Sequence, residues 1–161
     1  MLKKFVALFS LALVAVVAVG CGGIKKPSDM GELGGCVVKV TQDGAPLAGA
    51  EVIFHAQNPE NQKYTPSGTT NEKGEAKIKT YGFEGVPAGD YKVTVTKLVI
   101  EEGELVVAED GSESVEGGSE YQVVDEEYRN VDTTPLSVTI TDPMTEVPVF
   151  EVGAAVQDEH K

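Results

Sequence analysis

The chain is poor in most chemistry-bearing residue types. Its 161 residues hold two cysteines, two histidines and no tryptophan. Cys21, Cys36, His55 and His160 stand far apart, so none of the Cys/His spacings that hold a structural zinc occurs. A thiol nucleophile at Cys36 would need one of those two imidazoles beside it as a base. Cations are scarce as well: 13 Lys and Arg face 26 Asp and Glu, a net charge of −13. Such a surface repels phosphate backbones, which excludes a nucleic-acid role. It also works against electrostatic docking on anionic lipid. Helical periodicity is missing beyond residue 21. The longest apolar run, Phe5 to Gly20 with only Ser10 polar, falls short of the roughly 20 residues that a comfortable bilayer-spanning helix needs.

That run is nonetheless the most informative segment. Lys3 and Lys4 precede it, and it ends Ala18-Val19-Gly20-Cys21 with Gly22-Gly23 behind. The order is that of a secretory signal, not a fold element. Small residues before a cysteine at the end of an apolar stretch resemble the lipobox of bacterial lipoproteins, with Ala18 where that family usually has Leu. The resemblance implies cleavage between Gly20 and Cys21, diacylglycerol on the Cys21 thiol, and acylation of the new amine, typically by palmitate. Two or three acyl chains anchor stably where one is marginal. Gly22 in place of Asp implies export to the outer membrane of a Gram-negative envelope. The residues leave two alternatives: an ordinary cleaved signal that releases a soluble secreted domain, and an uncleaved anchor.

Removing residues 1–20 takes two lysines and no acids, leaving 11 basic and 26 acidic side chains. The acyl groups would therefore have to supply the membrane attachment. About 120 residues remain after linker and tail, enough for one domain with one core. If Cys21 carries lipid, Cys36 has no partner and the domain has no internal disulfide. Its simplest role is a small buried residue on a strand.

Residues 21–34 are expected to form the lipidated N-terminus and a flexible tether rich in glycine and charge. Residues 35–155 form the domain, and 156–161 a polar tail. Within the domain the period is two. Cys36, Val38 and Val40 share a face, as do Ala50, Val52 and Phe54. Tyr64 to Thr70 is a weaker strand. Ala76 and Ile78 point inward between Lys77 and Lys79. Tyr91, Val93 and Val95 alternate with Lys92, Thr94 and Thr96; Leu136, Val138 and Ile140 follow the same rule; Val147 to Val152 closes the pattern. Turns are expected at Asp43-Gly44, at Asn71-Glu72-Lys73-Gly74 as a tight hairpin, and at Pro87-Ala88-Gly89-Asp90. Seven or so such strands give an all-β chain and a β-sandwich. An acidic insertion, about residues 99–129, carries 11 acids and no Lys or Arg before Arg129. A loop of that length is functional or disordered. Its flanks ELVVA and EYQVV are expected to pair as a projecting hairpin.

Three stretches follow one another in a recognisable order: DGAPLAGAEVIF, then GTTNEKGEAKI, then VPAGDYKVTV. Together they resemble the carboxypeptidase regulatory-like domain, a transthyretin-like (prealbumin-like) β-sandwich, over about 60 residues. EEYRNVDTTPLSVTIT resembles the end segment of small bacterial lipoproteins built on this domain. The motif specifies a scaffold and leaves function open. Tyr91 is expected to put its ring in the core and its hydroxyl at the rim.

No catalytic residue and no metal ligand is assigned. His55 reads as a rim residue and His160 as solvated tail. Intradiol dioxygenases share the fold and hold iron with two Tyr and two His, a set that Tyr128 and His160 do not complete. Hydroxyisourate hydrolases end in Tyr-Arg-Gly-Ser, of which Tyr128-Arg129-Asn130 is only an internal echo. The acidic insertion offers hard oxygen ligands for calcium, yet no calcium-loop motif is present, and Asp43, Asp90 and Asp110 read as turn residues. The expectation is a non-catalytic, lipid-anchored envelope protein without cofactor. Its partners would be membrane lipid through Cys21 and an envelope protein or glycan. The alternatives are a structural lipoprotein, a calcium-dependent or accessory interaction module, and a soluble secreted domain.

Overall fold

Alternating apolar residues build strands along the whole domain, and the protein is all-β. The computed structural model describes residues 25–107, 110, 112–142 and 144–159; Gly20, Cys21 and His160 lie outside the described residues. Among the described residues there are seventeen strands, many of two to four residues, rather than the seven or so expected. Sheet switches divide the long alternating segments into short pieces.

The larger sheet has six antiparallel strands in the order Ser137–Ile140, Gly89–Thr96, Glu51–Ala56, Pro66–Thr69, Lys79–Thr80, Phe83–Glu84. The second sheet is centred on Val37–Gln42. That strand pairs antiparallel with Ala45–Pro46 and Glu75–Lys77, and parallel with Val149–Glu151. A parallel pairing needs a long connection, so no turn signal in the sequence announces it. The two sheets enclose one core in a sandwich-like arrangement. Val93 lies opposite Phe54 and Val95 opposite Val52 across the central strand pair, so apolar neighbours stack on the inner face. The fully buried Phe54 ring lies 5.7 Å from Tyr91 on its own sheet and 6.5 Å from Phe150 on the other. Among the described residues the four buried polar side chains are all threonines, each with a hydrogen-bond partner: Thr70 on Ala50 and Leu47, Thr80 on Gly85, Thr94 on His55, Thr134 on Val93. Burial without a partner would be costly.

Several local expectations change. The Asn71–Gly74 turn is tight, with Gly74 at φ +75, but it does not close a hairpin within one sheet. Pro66–Thr69 belongs to the larger sheet and Glu75–Lys77 to the smaller. Ile78 marks a second switch, because Lys79–Thr80 returns to the larger sheet. Gly68 lies directly beneath that switch; a Cβ there would sit 2.7 Å from the Lys77 carbonyl oxygen. Tyr91 keeps no hydroxyl at a rim: it is fully buried and donates to the Pro87 carbonyl at 2.9 Å. Thr94, expected to face out, is buried under His55. Asp90, expected in a turn, is the second residue of the Gly89–Thr96 strand, and its carboxylate accepts from Thr139 at 2.6 Å.

Segment 27–34 is not a free tether. Met30 is buried, and Leu33–Gly34 pairs with Val86–Pro87. An apolar methionine and a two-residue ladder tie this stretch down where composition suggested freedom. The acidic insertion also pairs differently. Leu98–Glu101 pairs with Ser119–Gln122, and Glu104–Val107 with Glu113–Glu116, in one continuing antiparallel register. EYQVV therefore meets the start of the insertion rather than ELVVA. Asp158–Glu159 adds a third strand at the ribbon's base. Glu126–Arg129 then forms one helical turn, capped by the Asp125 carboxylate on the Glu127 N–H.

Candidate functional site

The docked N-terminal segment ends on a cluster of tyrosines. Pro27, Lys63, Thr65 and Tyr81 surround a hollow of about 540 Å³, with Tyr64 as its inner wall. Tyr64 also closes a second hollow of about 270 Å³, lined by Phe54, His55, Gln62 and Val131. Tyr64 and Thr65 line both hollows of this candidate groove. The loop through Pro59–Asn61, capped by the Asn58 side chain, carries Lys63 and Tyr64 to it from the Glu51–Ala56 strand.

Hydrogen bonds fix this wall. The Tyr64 hydroxyl donates to Asp29 at 2.7 Å, and Lys63 forms an ion pair with the same carboxylate. Lys63 Nζ also lies over the Tyr64 ring, 5.2 Å from its centroid. Lys63 first, then Tyr64, hold the Asp29 carboxyl below its ordinary range, and donation to Asp29 raises the Tyr64 hydroxyl. Burial lowers His55, which favours its neutral form, bonded to Thr94 Oγ1 at 2.8 Å. With Lys63 paired to Asp29, the groove wall is close to neutral.

Tyr81 is the unusual member. It stands 60% exposed at φ +52, followed by Gly82 at φ +86, in the two-residue turn joining Lys79–Thr80 to Phe83–Glu84. Two positive φ angles define a type I′ turn, whose first position favours Asn, Asp or Gly. The chain follows that rule at its other such turn, Asp43-Gly44, at φ +51 and +74. An aromatic residue in this conformation is strained, and strain of this kind collects at functional sites. The Tyr81 ring meets Tyr64 edge-on at 6.1 Å between centroids. Lys63, Tyr64 and Tyr81 escaped the sequence reading. The available signal was an aromatic where turn chemistry calls for Asn or Asp.

The acidic ribbon leaves the other end of the sandwich. Ile78 bonds to Cys36 at the start of the Val37–Gln42 strand, and Tyr81 follows three residues later. At the far end of that strand, Gln42 Nε2 donates to the Val123 carbonyl at the ribbon's base. Six strand residues, roughly 20 Å, separate the two ends. Ile100, Leu105 and Val107 are exposed along the ribbon among its acids. Asp110 folds back on Ser112, whose N–H and hydroxyl both donate to it, so it acts as a turn residue. Arg129 forms an ion pair with Asp158, tying the helical turn to the last strand. Among the described residues no three His, Cys, Asp or Glu side chains converge as metal ligands.

Cys36 is buried on the core face, as its alternation predicted, and burial pushes its thiol up to about 11. A thiol of that kind is almost wholly protonated at neutral pH. Alkylation by iodoacetamide at pH 7.5 is expected to be at least about a hundredfold slower in the folded protein than after denaturation. Comparable rates in the two states would place Cys36 in solvent.

The chain matches no known protein family and no curated protein. Among solved structures, a 9R-lipoxygenase from Cyanothece PCC8801 is similar over 94% of this chain and 20% of that one, at 13% identity and a TM-score of 0.29. The chain thus spans about one-fifth of the lipoxygenase's length, and a likeness this slight carries nothing about fold or activity.

Proposed function

We propose that this protein is a non-catalytic, lipid-anchored module of the cell envelope, a transthyretin-like β-sandwich of the carboxypeptidase regulatory-like kind. Acylated Cys21 holds it to the membrane, the outer membrane in a Gram-negative envelope. The sandwich presents its groove and acidic ribbon to a binding partner. One observation carries the anchor: an apolar run that ends Ala18-Val19-Gly20-Cys21 just before the folded domain begins. The short distance from Cys21 to Pro27 supports it, because it leaves the domain close to the acyl chains. Two sheets around one core support the sandwich, and the motif residue Gly74 occupies the positive-φ turn the resemblance calls for.

Intact mass and detergent-phase partition of protein from native membranes test the proposal. The mature chain should begin at Cys21 with added diacylglycerol mass. Cys21→Ser should move it from the detergent to the aqueous phase, changing the partition ratio by more than about tenfold. An unmodified amino terminus with wild-type protein in the aqueous phase would sink the anchor and leave a soluble secreted domain.

A further inference from the structure

We propose that the Tyr64–Tyr81 platform seats on the headgroup layer of the membrane that holds Cys21. The domain then stands on its tyrosine end, with the acidic ribbon directed away from the bilayer. The proposal rests on the lipid anchor and adds an orientation to it.

Chain length is the first argument. Five residues separate Cys21 from Pro27, and the six Cα-to-Cα steps, fully extended, span at most about 20 Å. Pro27 lines the hollow with Tyr64 and Tyr81, and the segment that follows is pinned by Met30 and the Leu33–Gly34 pairing. The platform cannot move farther from an acylated Cys21 without undocking that segment. The surface chemistry agrees. Tyrosine joins an apolar ring to a polar hydroxyl and is enriched where membrane meets water. Exposed Lys25 and Lys26 directly precede Pro27, and Lys63 stands beside it. Asp29 offsets Lys63, whereas Lys25 and Lys26 enter no ion pair among the described residues and favour anionic headgroups.

Two further observations agree with this orientation. Tyr81 is held out at φ +52, where the equivalent turn uses Asp43. A ring kept exposed in a disfavoured conformation fits a contact outside the chain. The acids of the 98–122 ribbon leave from the opposite end of the Val37–Gln42 strand. Anionic lipid would repel that end, so charge and tyrosines select the same orientation.

The test compares lipidated wild-type protein with lipidated Tyr81→Asn, each on phosphatidylcholine–phosphatidylglycerol vesicles and each against its Cys21→Ser form free in buffer. Amide hydrogen exchange is the readout. On vesicles, residues 62–65 and 80–83 should exchange at least about threefold more slowly in wild type, with no change at 104–107 or 113–116. Tyr81→Asn should still float with the vesicles and keep its melting temperature, because Asn-Gly suits a type I′ turn, yet lose the protection. Equal exchange on and off vesicles, or protection at the ribbon, overturns the orientation. So does protection of 62–65 and 80–83 in the free chain by added cellohexaose with none on vesicles, which would make the platform a glycan site. Wild-type protein that fails to float at all points instead to failure of the lipid anchor.

Discussion

Phe54→Ala is expected to lower stability by about 3–5 kcal/mol, the usual range for a fully buried aromatic, and to lower the melting temperature by roughly 10–20 °C. Phe54 is fully buried, opposite Val93 on the neighbouring strand, with its ring against Tyr91 and Phe150 from the two sheets. Truncation opens a cavity on the contact between the layers. Hydrogen-bonded ladders on both sides limit how far the sheets can move together to fill it. A domain of this size has only about 5–15 kcal/mol of total stability, so the variant sits near the threshold of folding. Val149→Ala is the contrast. Val149 lies on the edge strand next to Phe150 and is 61% exposed, and its truncation should stay within about 0.5 kcal/mol. Thermal melts of the two variants decide the matter. A Phe54→Ala melt within a few degrees of wild type would mean that the two sheets do not share this core.

Gly85→Ala is expected to cost about 2–4 kcal/mol and to release the N-terminal segment before the rest of the domain. Gly85 sits at φ +108, and an added Cβ would lie 2.6 Å from the Gly34 carbonyl oxygen and 3.0 Å from Leu33 Cβ. The backbone cannot slide aside. The Gly85 N–H is bonded to the Ile78 carbonyl at 3.0 Å, and the Gly85 carbonyl accepts from Thr80 at 2.7 Å. The strain falls on the Leu33–Gly34 pairing with Val86–Pro87. Hydrogen exchange at residues 30–34 should quicken by about tenfold or more, ahead of the core strands. Gly35→Ala is the control, since its Cβ would meet open space at an ordinary φ. Equal exchange in the two variants would mean that Gly85 does not hold the segment. Release also bears on the proposed anchor. With 27–34 undocked, the chain from Cys21 to the domain could reach roughly 50 Å rather than about 20 Å, and no orientation on the membrane would survive.

The strand faces were legible because burial enforces them residue by residue. Cys36, Val38 and Val40 are buried as their alternation predicts, and so are Ala50, Val52 and Phe54. Asp43-Gly44 announced its own turn, since Asp-Gly is among the few pairs that tolerate two positive φ angles. The pairing of the strands was less visible. Nothing in Asn71-Glu72-Lys73-Gly74 says that the chain changes sheets there, because the same tight turn serves a hairpin or a crossover. EYQVV and ELVVA are each good strand sequences, and only the register of the whole ribbon sets their partners. The tether was misjudged from Pro27 onward because Met30 and Leu33 are isolated apolar residues in a polar stretch. A lone methionine has no period until a core receives it.

By itself the sequence determined an all-β chain, the inward faces of its main strands and its acidic character, since each rests on local residue chemistry. Only the tertiary structure decided which strands share a sheet, where segment 27–34 docks, and that Tyr64, Tyr81 and Lys63 meet beside Pro27. Those facts depend on contacts between residues far apart in the chain. Tyr64 and Tyr81 are separated by a sheet crossover and its return, and Asp29 meets Lys63 across 34 residues of chain. Spacing along the sequence carries no trace of such a meeting.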